Sequence, residues 1–387
     1  MASVFEASEA LKGFARARVH DEASSLIALS HAIHAKPELA FEEHESSARV
    51  ADYLGARGLS VDTGVADLPT ALVAHAGGGP FTVGVCAEYD ALPEIGHACG
   101  HNIIAASAAG AGIALAAIAD DLGITIKVIG TPAEEGGGGK IILLERGIFD
   151  GIHAAMMVHP ASFDTTDVSC LAVSHVQVSY TGLEAHASAF PERGVNAADA
   201  LTIAQVAIGL LRQHLMPTDQ VHGVVTSGGS APNVVPKHAR GQFMIRAHTI
   251  EDLAILEPRI ERCFRAGAIA TGAEVAIDRL SPTYADLVVN EEMLGFYREN
   301  AGRLGRHLPP TGTKPIKLST DMGNVSHHTP SIHPMIGVDA AGATIHQPEF
   351  AAACTNESAD RAVLDGAVAM AWTAIDLALS HHGQSRS

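Results

Sequence analysis

The sequence predicts an α/β protein whose main domain has a mostly parallel β-sheet covered by helices, with a smaller α+β domain inserted into it. Between residues 81 and 158, short apolar segments typical of buried strands alternate with helix-like segments. That order builds a parallel sheet with helices on both faces. Near residue 172 the pattern changes to strands in which polar and apolar residues alternate. Hydrophobic residues make up 47% of the 387 residues, which is enough for a sizeable core.

The first half of the chain is predicted to contain two N-terminal helices, followed by alternating strands and helices. Pro37 separates the two helices, because a helix commonly stops before proline. The later strands, such as ITIKVIG, are nearly continuous apolar runs, as strands buried on both faces require. The predicted elements are helices 4–34 and 42–57, strands 72–76 and 81–87 around the turn 77–80, helix 103–119, strand 124–130, helix 138–146 and strand 154–158.

The inserted domain is predicted to follow the ferredoxin-like order β-α-β-β-α-β. Its first strand lies in AVSHVQVSYTG, and a turn rich in Gly, Pro and Asn joins the second and third strands. We therefore assign residues 1–172 and 282–387 to the main domain and 173–281 to the insertion. The later predicted elements are helix 197–214, strands 221–226 and 239–247, helix 251–271, strand 273–278 and a C-terminal helix 360–379.

Composition and charge argue against several classes of protein. Lys and Arg number 25 against 43 Asp and Glu, a net charge of −18, and this negative mean field repels nucleic acid. The five cysteines are few, odd in number and unevenly spaced, so no disulfide framework is expected. The N-terminal residues lack a signal-peptide pattern, and the most apolar run, 103–119, is too short and too rich in Ala and Gly for a membrane helix. We expect a cytoplasmic protein without nucleic-acid or membrane partners.

Polar side chains that suit metal or acid–base chemistry follow three consecutive predicted strands. Strand 81–87 is followed by Glu88, Tyr89 and Asp90, and strand 154–158 by His159. The strand between them is followed by TPAEEGGGGK. Ligands of open α/β sheets bind at the carboxyl ends of the parallel strands. We therefore predict one convergent polar site at this edge of the sheet.

The segment HACGH at residues 97–101 is a candidate metal-binding loop. A thiolate at Cys99 and an imidazole at His101 can reach the same one or two metal ions, because Gly100 lets the backbone turn between them. The spacing differs from the Cys-x-x-Cys pairs of structural zinc sites. A chance cysteine near two histidines in a loop is the alternative at this point.

The adjacent acids Glu134 and Glu135 follow an apolar strand. On an extended backbone they would point to opposite sides, which suits one metal ligand and one general base. A solvated acidic turn is the alternative, although the glycines that follow give backbone amides access to a site. A phosphate-binding loop is disfavoured, because Glu134 stands where its first glycine would be and Lys140 is followed by Ile141.

Six segments together resemble the motifs of a known family. They are AEYDALPEIGHACGHN, GTPAEEGGGGK, MMVHP, GLEAHAS, APNVVP and IHQPEF, in this order along the chain. They resemble the motifs of peptidase family M20, the aminoacylase- and carboxypeptidase-like metallopeptidases. Within that family the resemblance is to the amidohydrolase branch, subfamily D, and to its aminobenzoyl-glutamate hydrolases and the dipeptidase-like and aminoacylase-like members. It covers nearly the whole chain, from residue 33 to residue 353.

The resemblance implies a two-metal hydrolase in which the inserted domain is a lid that dimerises. Glu134 would be the general base, and Asp90 would orient a ligand. His186, in AHAS, would contact the substrate or the developing oxyanion, in its own site or in that of a second copy of the chain. Asn233 and Arg246 would bind the substrate carboxylate. The implied metal ligands are Cys99, His101, Glu135, His159 and His346.

One position departs from related branches of the family, which have His-x-Asp where this chain has Glu88-Tyr89-Asp90. We therefore assign no ligand role to Glu88. The thiolate favours zinc, whereas carboxylate and imidazole also suit manganese, nickel or cobalt. Two divalent ions in each protomer are expected, with zinc first.

The main functional prediction is a metal-dependent amidohydrolase for an N-acyl or N-aroyl amino acid or a small dipeptide. Its partner molecules would be a small-molecule amide substrate and a second copy of the chain, bound through the lid. One alternative is a specialised C–N hydrolase for an aromatic amine or a small conjugate. The other is a non-catalytic binding protein on the same fold, which the retention of Glu134 and the ligands disfavours.

Overall fold

The computed structural model describes residues 2–310, 312 and 316–384. The chain divides into two compact units. The first comprises Met1–Ser169 and Leu287–Ser387, and the second comprises Cys170–Asp286. In the described residues the helices are α1 Ala2–Asp21, α2 Ala23–His34, α3 His44–Gly55, α4 His101–Ala116, α5 Ala119–Leu122, α6 Gly139–Glu145, α7 Ala197–Leu211, α8 Ile250–Thr271, α9 Glu291–Arg303, α10 Met322–Ser326, α11 Pro348–Ala353 and α12 Glu357–Gln384.

The strands are mostly short, and the longest run to ten residues in the second unit. In chain order they are β1 Ser60–Thr63, β2 Leu72–Gly77, β3 Phe81–Glu88, β4 Ile124–Thr131, β5 Ala154–Met156, β6 His159–Ala161, β7 Val168–Cys170, β8 Ala172–Thr181, β9 Gln220–Ser227, β10 His238–Ala247, β11 Glu274–Arg279, β12 Ile316–Leu318, β13 Ser331–Ile332 and β14 Met335–Gly337.

The first unit is built on a six-stranded sheet in the order β1-β2-β4-β3-β5-β13. The pairs β3–β4, β3–β5 and β5–β13 are parallel, while β1 and β2 extend one edge in antiparallel fashion. The predicted mostly parallel sheet is therefore confirmed. The turn 77–80 does not make a hairpin, because β4 lies between β2 and β3. This arrangement leaves the carboxyl ends of β3, β4 and β5 at one edge of the sheet.

Helix α4 is the central helix of the first unit, and its first fifteen residues are buried. Its small residues allow close packing. A Cβ placed on Gly110 would lie 2.8 Å from Ala367 in α12, and one on Gly112 would lie 2.2 Å from Val128 in β4. In the described part of the chain, α12 is the helix long and apolar enough to cross a membrane, and 78% of that apolar window is buried inside the fold. A helix buried in a protein core can have the same length and apolar composition.

The second unit has the β-α-β-β-α-β order, with strands β8, β9, β10 and β11 and helices α7 and α8. Its four strands form an antiparallel sheet in the order β11-β8-β10-β9, so the predicted ferredoxin-like insertion is confirmed. Side-chain caps begin both helices: Asn196 accepts from the amides at the start of α7, and Thr249 does the same for α8. The two ends of the unit lie side by side, since Val173 and Tyr284 exchange two backbone hydrogen bonds of 2.9 and 3.0 Å.

Two predicted elements differ in the structure, one because it breaks and one because it ends early. The helix predicted over residues 4–34 breaks at Glu22, whose carboxylate accepts from Ser25 Oγ at 2.7 Å and from Arg57 Nη2 at 2.6 Å. These contacts, one local and one with a distant arginine, accompany the break at Glu22, which has φ −99°, ψ 7°. The strand predicted over 154–158 ends at Met156, because the chain then shifts to a second small sheet in which β6 pairs with β14.

Candidate active site

The carboxyl ends of β3 and β4 and the start of β6 carry the side chains of the site. Glu88 is the last residue of β3, Glu134 follows β4 by three residues, and His159 is the first residue of β6. The edge predicted from the sequence is therefore the edge at which the structure gathers these groups. Glu88 and His101 are fully buried, and His159 is 6% exposed.

His101 begins α4 and is held by a carboxylate on one side of its ring. Its Nδ1 lies 2.9 Å from Asp90 Oδ1, so the ring donates Nδ1–H to Asp90 and presents Nε2 to the site. Three further carboxylate oxygens face Nε2: Glu88 Oε2 at 3.4 Å, Glu135 Oε1 at 3.9 Å and Glu134 Oε2 at 4.0 Å. Burial acts to lower the pKa of His101, but Asp90 and the other acids outweigh it and hold that pKa well above its usual value.

A tight turn brings Glu134 and Glu135 toward the same centre. Ala133 has φ +59°, and its amide donates to Glu43 Oε1 at 2.8 Å. The amide of Glu135 donates to Asp90 Oδ2 at 2.9 Å. The backbone is therefore a turn and not extended, so the prediction that the two carboxylates point to opposite sides is wrong. Because Ala133 adopts a left-handed conformation, both side chains lie within 4.0 Å of His101 Nε2.

The following glycines leave room for this turn. A Cβ on Gly139 would lie 1.9 Å from the carbonyl oxygen of Pro132, a distance that no side chain tolerates. The amides of Gly137 and Gly138 both donate to the carbonyl of Ala133, at 3.0 and 2.8 Å. The glycine run thus closes the turn by backbone contacts.

The five residues predicted as metal ligands lie together in two overlapping groups. The candidate ligand atoms of Cys99, His101 and His159 lie within 4.8 Å of one another, and so do those of Cys99, Glu135 and His346. The His346 side chain is exposed, and its Nε2 lies 3.8 Å from Glu135 Oε2. The two groups share the thiol of Cys99, so the five side chains form one continuous set of candidate ligands.

The chemistry of these atoms fits a divalent cation. His101 Nε2, Glu135 Oε1 and Glu88 Oε2 are buried and have no hydrogen-bond partner within the described part of the chain. All three are electron-pair donors when the ring carries its proton on Nδ1. A buried polar atom without a partner costs about 1–3 kcal/mol, and cations held by the two groups described above would satisfy His101 Nε2 and Glu135 Oε1.

Two ligand candidates have pKa values shifted in ways that matter for metal uptake. Burial raises the pKa of the Cys99 thiol well above its usual value, and the neighbouring Glu135 and Glu134 raise it further. Burial, together with His333 and His101, lowers the pKa of His159 to about 3. His159 donates Nδ1–H to the Pro160 carbonyl at 2.8 Å, so its neutral ring presents Nε2 as a ligand without losing a proton.

The structure adds a buried ion cluster that sequence reasoning missed. Lys140 Nζ lies 2.5 Å from Glu88 Oε1 and 2.7 Å from Asp321 Oδ1, and all three side chains are fully buried. The Lys140 amide also donates to Asp321 Oδ2 at 2.9 Å. Burial alone would raise the pKa of Glu88, but the Lys140 ammonium overrides it and lowers that pKa. The apolar run before Glu88 was visible in the sequence, whereas nothing in the sequence paired residue 140 with residue 321.

The remaining predicted site residues belong to the second unit. There the structure brings the segments of His186 and Asn233 together, since the Ala187 amide donates to the Asn233 carbonyl at 3.0 Å. The side chain of His186 is exposed, and its Nδ1 lies 3.3 Å from the Ala189 amide. That contact makes Nδ1 the acceptor and leaves Nε2 to carry the proton.

Arg246 does not lie with His186 and Asn233. In the β8–β10 ladder Arg246 pairs with Val173, whereas His238 pairs with Thr181 at the end that leads to Asn233. These two positions on β10 are about 26 Å apart at roughly 3.3 Å per residue. Within one copy of this unit, Asn233 and Arg246 are therefore too far apart to hold the same small carboxylate.

The fold and the cluster of candidate metal ligands define a metal-dependent hydrolase. Comparison with known proteins gives the family. Residues 84–367 match the model of peptidase family M20/M25/M40. The chain is 37% identical over 393 aligned positions to the Xaa-Arg dipeptidase of Mus musculus, covering 95% of this chain and 89% of that protein. It is 32% identical to one component of the p-aminobenzoyl-glutamate hydrolase of Escherichia coli K12, over 62% of this chain and 54% of that one.

A solved structure shares the fold. The YxeP protein of Bacillus subtilis, described as a dinuclear metal binding peptidase from the M20 family, matches with a TM-score of 0.70 at 20% identity, over 92% of this chain and 99% of that chain. The chain belongs to peptidase family M20/M25/M40. The resemblance seen in the sequence is thus confirmed, and the protein is an enzyme that hydrolyses amide bonds.

Proposed function

We propose that this enzyme hydrolyses the amide bond of small dipeptides and of N-acylated or N-aroylated amino acids at a centre of two divalent cations. The observation that carries the proposal is the convergence of Cys99, His101, His159, Glu135 and His346 at one sheet edge, with Glu134 beside them. The similarity to the Xaa-Arg dipeptidase supports dipeptides that end in a basic residue as the first substrates to test.

The five ligand candidates would hold the two cations, with Cys99 a member of both candidate groups. Zinc suits the thiolate best, and manganese, cobalt and nickel suit the imidazoles and carboxylates. When bound, such a pair of cations supplies Lewis acidity for the scissile carbonyl and lowers the pKa of the attacking water. Asp90 contributes by fixing the His101 ring and the Glu135 amide in place.

Glu134 is proposed as the general base. Its carboxylate is buried beside Glu88 and Glu135, and this burial together with the neighbouring negative charge raises its pKa well above the usual range. Two bound cations would offset this negative charge, so that Glu134 is ionised and can accept a proton in the loaded enzyme. Glu134 would take the proton from the attacking water and return it to the leaving nitrogen, which departs as an amine.

The second unit is proposed to supply substrate contacts as part of a homodimer. His186 would donate Nε2–H to the oxygen of the scissile carbonyl, and Asn233 and Arg246 would bind the substrate carboxylate. The spacing along β10 prevents Asn233 and Arg246 of one chain from reaching the same small ligand. A two-fold dimer resolves this, with Arg246 from one chain and Asn233 and His186 from the other.

The proposed setting is the cytoplasm, with no nucleic-acid or membrane partner. The net charge of −18 disfavours nucleic-acid binding. Most of the apolar window of α12 is buried in the protein core. Thiolate ligands are also maintained most easily where thiols stay reduced.

A substrate panel tests the proposal. Metal-free protein is loaded with zinc, manganese, cobalt or nickel and incubated with dipeptides ending in Arg, Lys, Glu or Ala, with N-acetyl and N-benzoyl amino acids, and with p-aminobenzoyl-glutamate. Release of free amine is measured with and without a chelator. We expect metal-dependent release from at least one dipeptide or N-acyl amino acid. Fully loaded protein that releases amine from none of them would overturn the proposed substrate class.

A further inference from the structure

Glu88 lies inside the donor cluster although the family resemblance gives it no role. It is the last residue of β3, and its side chain is fully buried. Glu88 Oε2 lies 3.4 Å from His101 Nε2 and has no hydrogen-bond partner within the described chain. Candidate ligand atoms of Glu88, His101 and Glu134 lie within 4.8 Å of one another. An acidic group in this position faces the same space as the ligand nitrogen of His101.

The two oxygens of Glu88 have different surroundings. Oε1 is held by the Lys140 ammonium at 2.5 Å, and Lys140 is held in turn by Asp321 at 2.7 Å. Lys140 therefore holds the carboxylate through Oε1, and Oε2 faces His101. Two carboxylates against one ammonium leave this buried cluster with a formal charge of −1. Glu88 Oε2 is the atom of this cluster that brings the excess negative charge next to His101 Nε2.

The contact between Glu88 Oε2 and His101 Nε2 requires a positive charge. Because His101 donates its Nδ1–H to Asp90, the neutral ring has only a lone pair at Nε2. Two electron-pair donors 3.4 Å apart in a buried space repel each other unless a proton or a cation lies between or beside them. A proton can fill this role in the metal-free protein, and a cation bound to His101 Nε2 fills it in the loaded enzyme.

We propose that Glu88 Oε2 is an additional ligand of the cation bound by His101, and that Lys140 and Asp321 are positioning residues that hold the opposite oxygen. The proposal rests on the metal centre of the proposed function. It adds a carboxylate oxygen to a site otherwise described by a thiolate and two imidazoles. Added oxygen ligands favour higher coordination numbers and harder cations such as manganese or cobalt over tetrahedral zinc.

The first test compares the cobalt-loaded wild-type protein with Glu88→Gln. Glutamine keeps the shape of the side chain and an oxygen for Lys140 but removes the negative charge. We expect Glu88→Gln to weaken the binding of one cobalt ion at least about 10-fold, measured by competition with a chromophoric chelator. We also expect its visible absorption spectrum to change, since the spectrum reports the ligands around cobalt. Unchanged affinity and spectrum in folded Glu88→Gln protein would overturn the proposal.

Lys140→Met is the matched variant, because it disturbs the same ion cluster and leaves the Glu88 carboxylate in place. If Glu88 is a ligand that Lys140 positions, Lys140→Met keeps the carboxylate ligand, so its cobalt spectrum stays close to the wild-type spectrum while its cobalt affinity falls, by less than in Glu88→Gln. If Glu88 is only the structural partner of Lys140, both variants lower the unfolding midpoint and neither changes the cobalt spectrum. The two substitutions therefore separate a ligand from a structural ion pair.

A measurement on the unmodified enzyme covers the case in which a variant fails to fold. A crystal structure of the cobalt-loaded wild-type protein, with anomalous scattering to place the ions, gives the cation–Oε2 distance directly. A ligand oxygen lies at about 2.0–2.5 Å. A distance beyond about 3.5 Å in an enzyme that binds two ions and cleaves amides would refute the role of Glu88 alone. Failure of the proposed function would instead appear as wild-type protein that binds no cation or releases no amine.

Discussion

Asp90 Oδ1 lies 2.9 Å from His101 Nδ1, and both side chains are buried. The other oxygen of Asp90 accepts the amide of Glu135 at 2.9 Å. One carboxylate thus fixes the ring of a proposed ligand on α4 and the backbone of a proposed ligand after β4. The geometry of these two residues from distant parts of the chain depends on this single side chain.

Asp90→Asn should therefore weaken metal binding while the fold persists. The asparagine amide cannot accept both hydrogen bonds with its two terminal atoms, because one of them is an NH₂ donor. Loss of such an orienting carboxylate typically costs 10–100-fold in affinity, and we expect about that loss here. Chelator competition measures it, with Asp62→Asn as the control, since Asp62 is an exposed acid on β1. Equal affinity in Asp90→Asn and wild type would contradict the orienting role.

Glu134→Gln should abolish turnover and retain the metal. An amide cannot take a proton from water, so we expect kcat to fall on the order of 10²–10⁴-fold. Metal content per chain is measured on the same sample by mass spectrometry. Glu145→Gln, an exposed acid at the end of α6, should keep full activity. Near wild-type turnover in a fully loaded Glu134→Gln enzyme would remove Glu134 from its proposed role.

Cys99 should be protected from alkylation by metal and should become reactive on chelation. The bound cation holds the thiolate lone pair in the loaded enzyme. In the metal-free protein, burial and the adjacent carboxylates keep the pKa of Cys99 well above its usual value. The label should therefore enter slowly at neutral pH and faster as the pH rises.

The same pKa shift gives zinc affinity a pH dependence, because the thiol must lose its proton to bind. Affinity should increase with pH in the wild type and less steeply in Cys99→Ser. Peptide mapping distinguishes Cys99 from the other four cysteines, which are also buried. Equal labelling of Cys99 with and without metal would argue against the thiolate ligand.

Glu43 should make the metal-free protein less stable at high pH. Burial, followed by the charge of Asp90, raises the pKa of Glu43 from 4.5 to about 7. A raised pKa means that the folded state holds the proton longer than the unfolded chain. The contribution is fully present below pH 4.5 and is lost as the pH rises through about 7. Its size is at most about 3 kcal/mol at 1.36 kcal/mol per pKa unit.

Glu43→Gln isolates this effect, because glutamine keeps the oxygen that accepts the Ala133 amide. The urea midpoints of the metal-free wild type and variant should diverge between pH 5 and pH 8. The variant should become more stable relative to the wild type as the pH rises. Glu42 is the preceding acid in the chain, and its side chain is exposed. The urea midpoints of Glu42→Gln should therefore follow those of the wild type. A wild-type-to-variant difference that stays constant across this range would show that Glu43 does not titrate there.

His186→Ala should lower kcat without removing metal, and it should be rescued by pairing with Glu134→Gln. In a mixed dimer, one site has both an intact Glu134 and a His186 donated by the other chain. The two inactive variants are co-expressed with different tags, and the purified heterodimer is assayed. We expect activity well above either parent. A verified heterodimer that is no more active than its parents would mean that His186 does not act across the dimer.

The position of the site was predictable from the sequence, but the local geometry was not. Strand ends are visible as the limits of apolar runs, so the convergence near His159 and Glu134 followed from the rule for open sheets. The direction of Glu135 depends on the left-handed Ala133, which is held by Glu43 about ninety positions earlier in the chain. No local pattern contains such a contact. The pairing of Lys140 with Asp321 is hidden for the same reason.

The paired ends of the second unit, closed by the backbone hydrogen bonds between Val173 and Tyr284, have a consequence for how this protein can be rebuilt. A segment that leaves and re-enters its host at one point imposes no stretch on the host when it is lengthened, shortened or exchanged. Residues 170–286 are therefore suited to transplantation as a block between relatives. A chimera could exchange this block while the residues of the proposed metal centre, which lie in the first unit, keep their own sequence.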